Sequence, residues 1–329
     1  MKSHPKLIVI IGLTASGKSD LGIFLALRLS SGRAQKEFNI KGVEIISADS
    51  RQVYRGMDIG TGKVTKQEQR LARHWMLDIA SPTRQYSVAR FKREAQRTIR
   101  NITRRDKLPI ICGGTGFWID TLVYDLSLPP VKPNAKLRAQ LRKLPTTQLY
   151  TRLKKLDPVR AATIDRYNSV RLIRALEIVM TTGRPVPTQV HLLAGETGSE
   201  KFKVKSRWEV LYLGISIPKE KLVRRIEKRL DARLKQGMIT EVRRLHIDGV
   251  SWKRLESFGL EYRWVTRFIR HEITRAQMRD RLLHDIIVYA KRQMTWFKRN
   301  KDIHWLNASA GSTQAKSQAL GLVQKFLKS

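Results

Sequence analysis

Residues 6–19 read KLIVIIGLTASGKS, and this stretch decides the fold. Its first half is short, β-branched and apolar after the lysine, which predicts a strand at 6–11 buried on both faces. Its second half, Gly12-Leu13-Thr14-Ala15-Ser16-Gly17-Lys18-Ser19, fits the pattern G-x-x-x-x-G-K-[ST] at every position. Glycines let the backbone wrap an anion so that successive N–H groups point inward. A helix predicted from residue 18 to about 29 adds the partial positive charge of its N-terminus. Lys18 supplies a point charge, and the Ser19 hydroxyl is placed to ligate Mg²⁺. The loop alone leaves open whether it holds a nucleoside triphosphate or another diphosphate ester.

Outward from this loop, strands alternate with helices. VEIIS at 43–47 predicts a second buried strand after a polar loop at 30–42. Residues 88–105 carry a helical pattern rich in arginine. LPIIC at 108–112 predicts a third strand, ended by Gly113 and Gly114, with a helix from about 117 to 124. This alternation argues for an α/β fold, a P-loop NTPase-like parallel sheet with flanking helices. Pro129, Pro130 and Pro133 then punctuate the chain, and no strand signal follows from 135 to 182. The last helix of that block contains RLIRALEIVM, with Leu172, Ile173, Leu176, Val179 and Met180 on an apolar face. Arg171 and Arg174 share another side of it. Gly183 and Pro185 end it, and 188–206 reads as a polar connector. WEVLYLGIS at 208–216 returns to strand character, and a late strand is expected at 303–306. The expected organisation is a discontinuous catalytic domain, 1–127 and 208–329, with an inserted all-helical domain at 128–207.

Charge is the outlier. Lysine and arginine number 65 against 28 acidic residues, a formal +37. Such a balance favours a polyanionic partner, nucleic acid first, because each neutralised phosphate releases counterions. A basic surface serving solubility or an acidic membrane is the alternative. No apolar run reaches the length of a membrane span, and the N-terminus does not read as a signal peptide. Cys112 is the only cysteine, which excludes an intrachain disulfide and a cysteine zinc cluster. The expected setting is the cytoplasm, without membrane contact. His74 and His304 lack metal-ligand spacing.

The second strand ends in Ser47-Ala48-Asp49-Ser50. Asp49 therefore stands where a ligand or base is placed, at the carboxyl end of a strand beside the loop; it could equally cap a turn. Tyr289, Trp296 and Phe297, at helical spacing, read as core residues before base-stacking ones.

ISADSRQVYRGMDIGTGK at 46–63, with GLTASGKS, GGTGFWI, RLIRALEI and AKRQMTWF in that order, resembles the tRNA dimethylallyltransferases over nearly the whole chain. The resemblance implies transfer of a five-carbon group from dimethylallyl diphosphate to N6 of the adenosine immediately 3′ of the anticodon, by a monomer that binds the anticodon stem-loop. It implies that residues 12–19 hold the diphosphate with Mg²⁺, and that Asp49 is the general base. It further implies that Ser50, Arg51 and Gln52 line the adenosine site, that Thr115 contacts the reacting region, and that Arg225 binds diphosphate. Arg138, Arg171, Arg174 and the segment containing Lys291, Arg292 and Gln293 match tRNA-holding positions. In chemical terms, an exocyclic amine is a poor nucleophile that needs a proton acceptor. A departing diphosphate needs the cations. The chain departs from the family pattern at Ile286-Ile287-Val288, where Thr-Arg is usual, and at FGLEY, 258–262. Transfer to free AMP, ADP or ATP, a P-loop nucleotide kinase and a non-catalytic RNA-binding protein remain as alternatives.

Overall fold

The computed structural model describes residues 5–187, 206–308 and 312–329. Apart from Ser206, the polar connector lies outside the described residues. The chain divides into two compact units, one of Met1–Ile119 with Arg207–Ser329 and one of Asp120–Ser206.

The first unit is built on a six-stranded, all-parallel sheet. Its strands are β1 (Lys6–Gly12), β2 (Val43–Ser47), β3 (His74–Trp75), β4 (Leu108–Gly113), β5 (Glu209–Ser216) and β6 (Ile303–Asn307), in the order β3-β2-β4-β1-β5-β6. β1 is central, and Leu7 to Ile10 are wholly buried. A parallel strand needs covering on both faces, so its apolar run does not alternate. Register matters more than the count of strands. Ile11 lies opposite Gly113 and Ser47 opposite Cys112. The loops after β1, β2 and β4 therefore leave the sheet at one level, on its carboxyl edge.

Helices α1 (Lys18–Leu29) and α4 (Val88–Thr103) follow the predicted positions closely. Two elements differ from the sequence reading. Residues 30–42 hold a helix, α2 (Gly32–Phe38), started by the Ser31 side chain accepting from the Ala34 N–H and ended by Asn39 at φ 52°. Both are recognised helix boundaries, in a segment whose polar composition suggested a loop. β3 is two half-buried residues, too short to leave a periodic signal.

The second unit packs α6 (Ala135–Arg142), α7 (Thr146–Leu156), α8 (Pro158–Thr163) and α9 (Ser169–Thr182) around Leu141, Leu149, Leu153, Leu172, Leu176 and Val179. Met180, expected on the apolar face of α9, is half exposed, and Ile178 is buried instead. The same face buries a carboxylate. Glu177 accepts from the Asn134 N–H at 2.7 Å, from Arg138 Nε at 2.7 Å and from Arg174 at 2.6 Å. Burial pushes its carboxyl pKa up, but the bonds from Arg138, Asn134 and Arg174 outweigh that and hold it at about 2.

The ordinary value is 4.5, so the Glu177 contribution to stability is complete above that pH and is lost as pH falls towards about 2. Glu177→Gln should cost about 3–5 kcal/mol at neutral pH, the usual effect of removing one partner of a buried ion pair. In urea titrations the gap between wild type and variant should narrow between pH 4.5 and 2. A gap independent of pH would remove the ion-pair account.

Candidate active site

The loops after β1 and β2 and the carboxyl ends of β4 and β5 open on one cavity of about 990 Å³. Residues Thr14 to Ser19 form one wall. Ala15 at φ 62° and Gly17 at φ 92° turn the loop, and Gly17 caps α1. Ser16 N–H bonds back to Leu13 O at 3.2 Å. The Ser16 hydroxyl is buried and bonds to nothing among the described residues. Lys18 Nζ has one hydrogen bond, to Leu13 O at 3.3 Å. Loss of hydration pushes its pKa below the ordinary value, and nearby Cys112 and Asp49 only partly offset this. A buried unbonded hydroxyl and an underhydrated ammonium at the N-terminus of α1 have the chemistry of an anion-binding cradle.

Asp49 follows β2 after one residue, Ala48. Its Oδ1 accepts from Arg51 N–H at 2.8 Å and from Gln52 N–H at 3.4 Å, so this oxygen caps the turn. Oδ2 takes no hydrogen bond from the described residues. Beside it, the Thr115 hydroxyl accepts from Ser50 N–H at 3.1 Å. Burial first, and then Asp49, push the Tyr289 pKa up, so that hydroxyl stays protonated. Tyr289 is thus a cavity residue rather than core, whereas Phe297 is buried.

The facing wall belongs to α10 (Lys219–Lys235). Arg225, Lys228, Arg229, Ala232, Arg233 and Gln236 line the cavity at intervals of three and four, one face of the helix. Arg233 donates to Glu261 at 3.2 Å and to Gly60 O at 3.4 Å. Arg229 has no hydrogen bond or ion pair among the described residues; burial, and then Arg233, lower its pKa to about 10. Both guanidinium groups press on Gly62, at φ 57°, where a Cβ would overlap them. The sequence motif stops at Arg225. The helical period of VRRIEKRLDARLK is the signal that extends it to Arg229 and Arg233.

Two buried polar side chains hold these walls together. Glu241, on α11 (Met238–Ile247), accepts from Asp58 N–H at 2.8 Å, Ile59 N–H at 2.6 Å, Gly60 N–H at 3.0 Å and the Tyr262 hydroxyl at 2.8 Å. Gln293, on α14 (Arg275–Phe297), accepts from Thr14 N–H at 3.0 Å and donates to Gly114 O at 2.9 Å. It approaches Gly114 so closely that a Cβ there would strike its amide.

These contacts sort the expected site residues. Lys18, Ser19, Asp49, Ser50, Arg51, Gln52, Arg225 and Arg292 line the cavity, and Thr115 adjoins it. Lys291 is exposed. Several of the groups expected to face RNA also have protein partners. Gln293 is buried with both amide ends bonded to backbone, so it is a brace. Gln52 bonds Ser47 at 3.1 Å and Gly62 O at 3.3 Å. Arg51 donates to Phe258 O at 2.9 Å. Arg138 and Arg174 neutralise Glu177 in the other unit, which also carries Arg171. No group of three or more potential metal-ligating residues occurs among the described residues.

Comparison with known proteins bears on this arrangement. A family model for IPP transferases matches residues 52–300. A tRNA dimethylallyltransferase of Thermomicrobium roseum is 37% identical over 94% of this chain and 88% of its own. That of Gloeobacter violaceus is 36% identical over 98% and 99%. Among solved structures, the tRNA isopentenylpyrophosphate transferase of Bacillus halodurans superposes with a TM-score of 0.70 at 29% identity, covering 98% of this chain and 97% of that one. A eukaryotic dimethylallyltransferase described as acting on tRNA gives 0.77 at 26%, covering 98% and 80%.

Replacing the brace tests the geometry independently of any ligand. Gln293→Ala should lower stability by about 1–3 kcal/mol in urea unfolding, because Thr14 N–H and Gly114 O lose a buried partner. An unchanged midpoint would show that the loops do not depend on it.

Proposed function

This chain belongs to the IPP transferase family, and on that premise we propose how its cavity moves a dimethylallyl group from dimethylallyl diphosphate to N6 of a tRNA adenosine. The adenosine is the one immediately 3′ of the anticodon, presented by the anticodon stem-loop. The observation that carries this reading is the juxtaposition of an anion-binding cradle with an unbonded carboxylate oxygen of Asp49 in one cavity.

The donor diphosphate occupies the cradle. Loop N–H groups, the Ser16 hydroxyl and Lys18 bind it on one side, and Arg225 and Arg229 on the other. The N6 lone pair attacks the allylic carbon, the carbon–oxygen bond breaks, and its electron pair leaves with diphosphate. Charge grows on the leaving group in a site already arranged for it, where fixed cations need no reorganisation. The amine proton passes to Asp49 Oδ2, while Oδ1 stays bonded to the turn. The Thr115 hydroxyl, held by Ser50 N–H, positions the reacting region. No phosphoryl group moves, which separates this chemistry from that of a kinase. Hard oxygen ligands suit Mg²⁺, and Ser19 with donor phosphate oxygens and water supplies them. The ion would add charge neutralisation at the diphosphate. The excess of positive charge favours RNA over free AMP as acceptor, and an adenine held in a loop must be extruded to reach Asp49.

We place the reaction in the cytoplasm and assign it to a monomer. Among the described residues no helix is long and apolar enough to cross a membrane.

Labelled dimethylallyl diphosphate supplied with unmodified tRNA or with AMP tests the acceptor. Label is expected in tRNA; label in AMP alone would overturn the assignment. Asp49→Asn keeps a turn-capping oxygen and removes the base. It should lower kcat by about 10²–10⁴ with little change in KM for tRNA. A full rate in the folded variant would leave Asp49 with the turn only.

A further inference from the structure

Helix α4 carries a feature the reaction does not use. Its buried face is Phe91, Ala95, Ile99 and Ile102. Its exposed face presents Arg90, Arg93, Arg97, Arg100 and, at the cap, Arg104. The spacing is three, four, three and four, so the five guanidinium groups follow one line along about 21 Å of helix. Only Arg90 is neutralised, by Glu94 at 2.7 Å. The side chains of Arg93, Arg97, Arg100 and Arg104 make no ion pair or hydrogen bond among the described residues. Neighbouring like charges at these spacings weaken a helix. A polyanion laid along the line would relieve that repulsion.

The line also has a direction. In a parallel sheet the crossover helix runs antiparallel to the strands, so α4 begins near the carboxyl edge and ends at the far edge. Its start is tied to the cavity. Tyr86 N–H donates to the Tyr54 hydroxyl at 2.9 Å, and Arg254 donates to that same hydroxyl at 3.1 Å and to Arg84 O at 3.0 Å. The Arg254 guanidinium lies 4.2 Å from the centre of the Phe258 ring, which lines the cavity. The arginines therefore lead from the rim of the site across the outside of the unit.

We infer that the α4 arginine line is a secondary docking track for the phosphate backbone of the RNA substrate, outside the cavity. The planar guanidinium fork matches phosphate oxygens in pairs. The track reads no bases; it adds affinity and orientation. The inference rests on the tRNA reading above, which supplies the partner.

The test is the quadruple variant Arg93→Gln, Arg97→Gln, Arg100→Gln and Arg104→Gln. Glutamine is a comparable helix former, and all four side chains are exposed, so circular dichroism and the urea midpoint should match or exceed wild type. KM for full-length unmodified tRNA should rise at least about 10-fold with kcat preserved. The slope of log affinity against log salt in gel shifts should fall by about three, since each of the four lost phosphate contacts contributes roughly 0.7–0.9. The control removes the same charge elsewhere, by Arg33→Gln, Lys36→Gln, Lys301→Gln and Lys325→Gln, and should change the slope little. Equal loss in the control would assign the effect to net charge and overturn the track. So would an unchanged tRNA slope, with or without lost binding to anionic phospholipid vesicles. If wild type itself fails to label tRNA, the acceptor reading fails, whereas the salt slopes still decide the track.

Discussion

The site depends on positive charge that the fold has taken partly out of water without supplying its counter-ion. Among the described residues, Lys18 has only a carbonyl as hydrogen-bond partner, and Arg229 has no hydrogen bond or ion pair. Arg233 is held by Glu261, itself buried and pushed up in pKa by that burial. Withdrawing cations from water is unfavourable unless something restores the lost solvation. A diphosphate does so twice over, once as substrate and more strongly as the departing group. The same constraint explains why Gly62 must lack a side chain and why α10 turns its basic face inward.

Such a site is useful only if it holds its shape while empty. The loops concerned come from the first third of the chain, and the groups that fix them come from the last. Glu241 binds three successive N–H groups of the loop at 58–60. Gln293 ties the phosphate loop to the loop after β4. Lys63, buried beneath, bonds Tyr54 O at 2.8 Å and Asp58 at 2.6 Å. Fully satisfied buried polar groups fix a geometry that apolar packing alone leaves loose. The recognition that RNA demands is thereby separated from the rigidity that leaving-group stabilisation demands.

The central strands were legible because LIVII, VEIIS and LPIIC are apolar without alternation, and the phosphate loop because its residue pattern is tied to backbone geometry. The helix at Gly32–Phe38 was hidden by polar composition, although Ser31 and Asn39 mark its ends. The partners of charged side chains were the least legible. Arg138 and Arg174, expected to hold RNA, also pair with the buried Glu177, a contact the motif did not show. A glutamate within the apolar run RALEIVM, three residues from an arginine, was the available clue. The bonds of Glu241 and Gln293 had no local signature, since their partners lie some 180 and 280 residues away.

The central claim is that the cradle holds a leaving group and never transfers a phosphorus atom. It is tested by tracing the bridging oxygen of dimethylallyl diphosphate, labelled with a heavy isotope, through one turnover with tRNA. The account predicts that all the heavy oxygen leaves with diphosphate and that the RNA gains the isoprenoid carbons and no phosphorus. Heavy oxygen or phosphorus in the RNA product would contradict it.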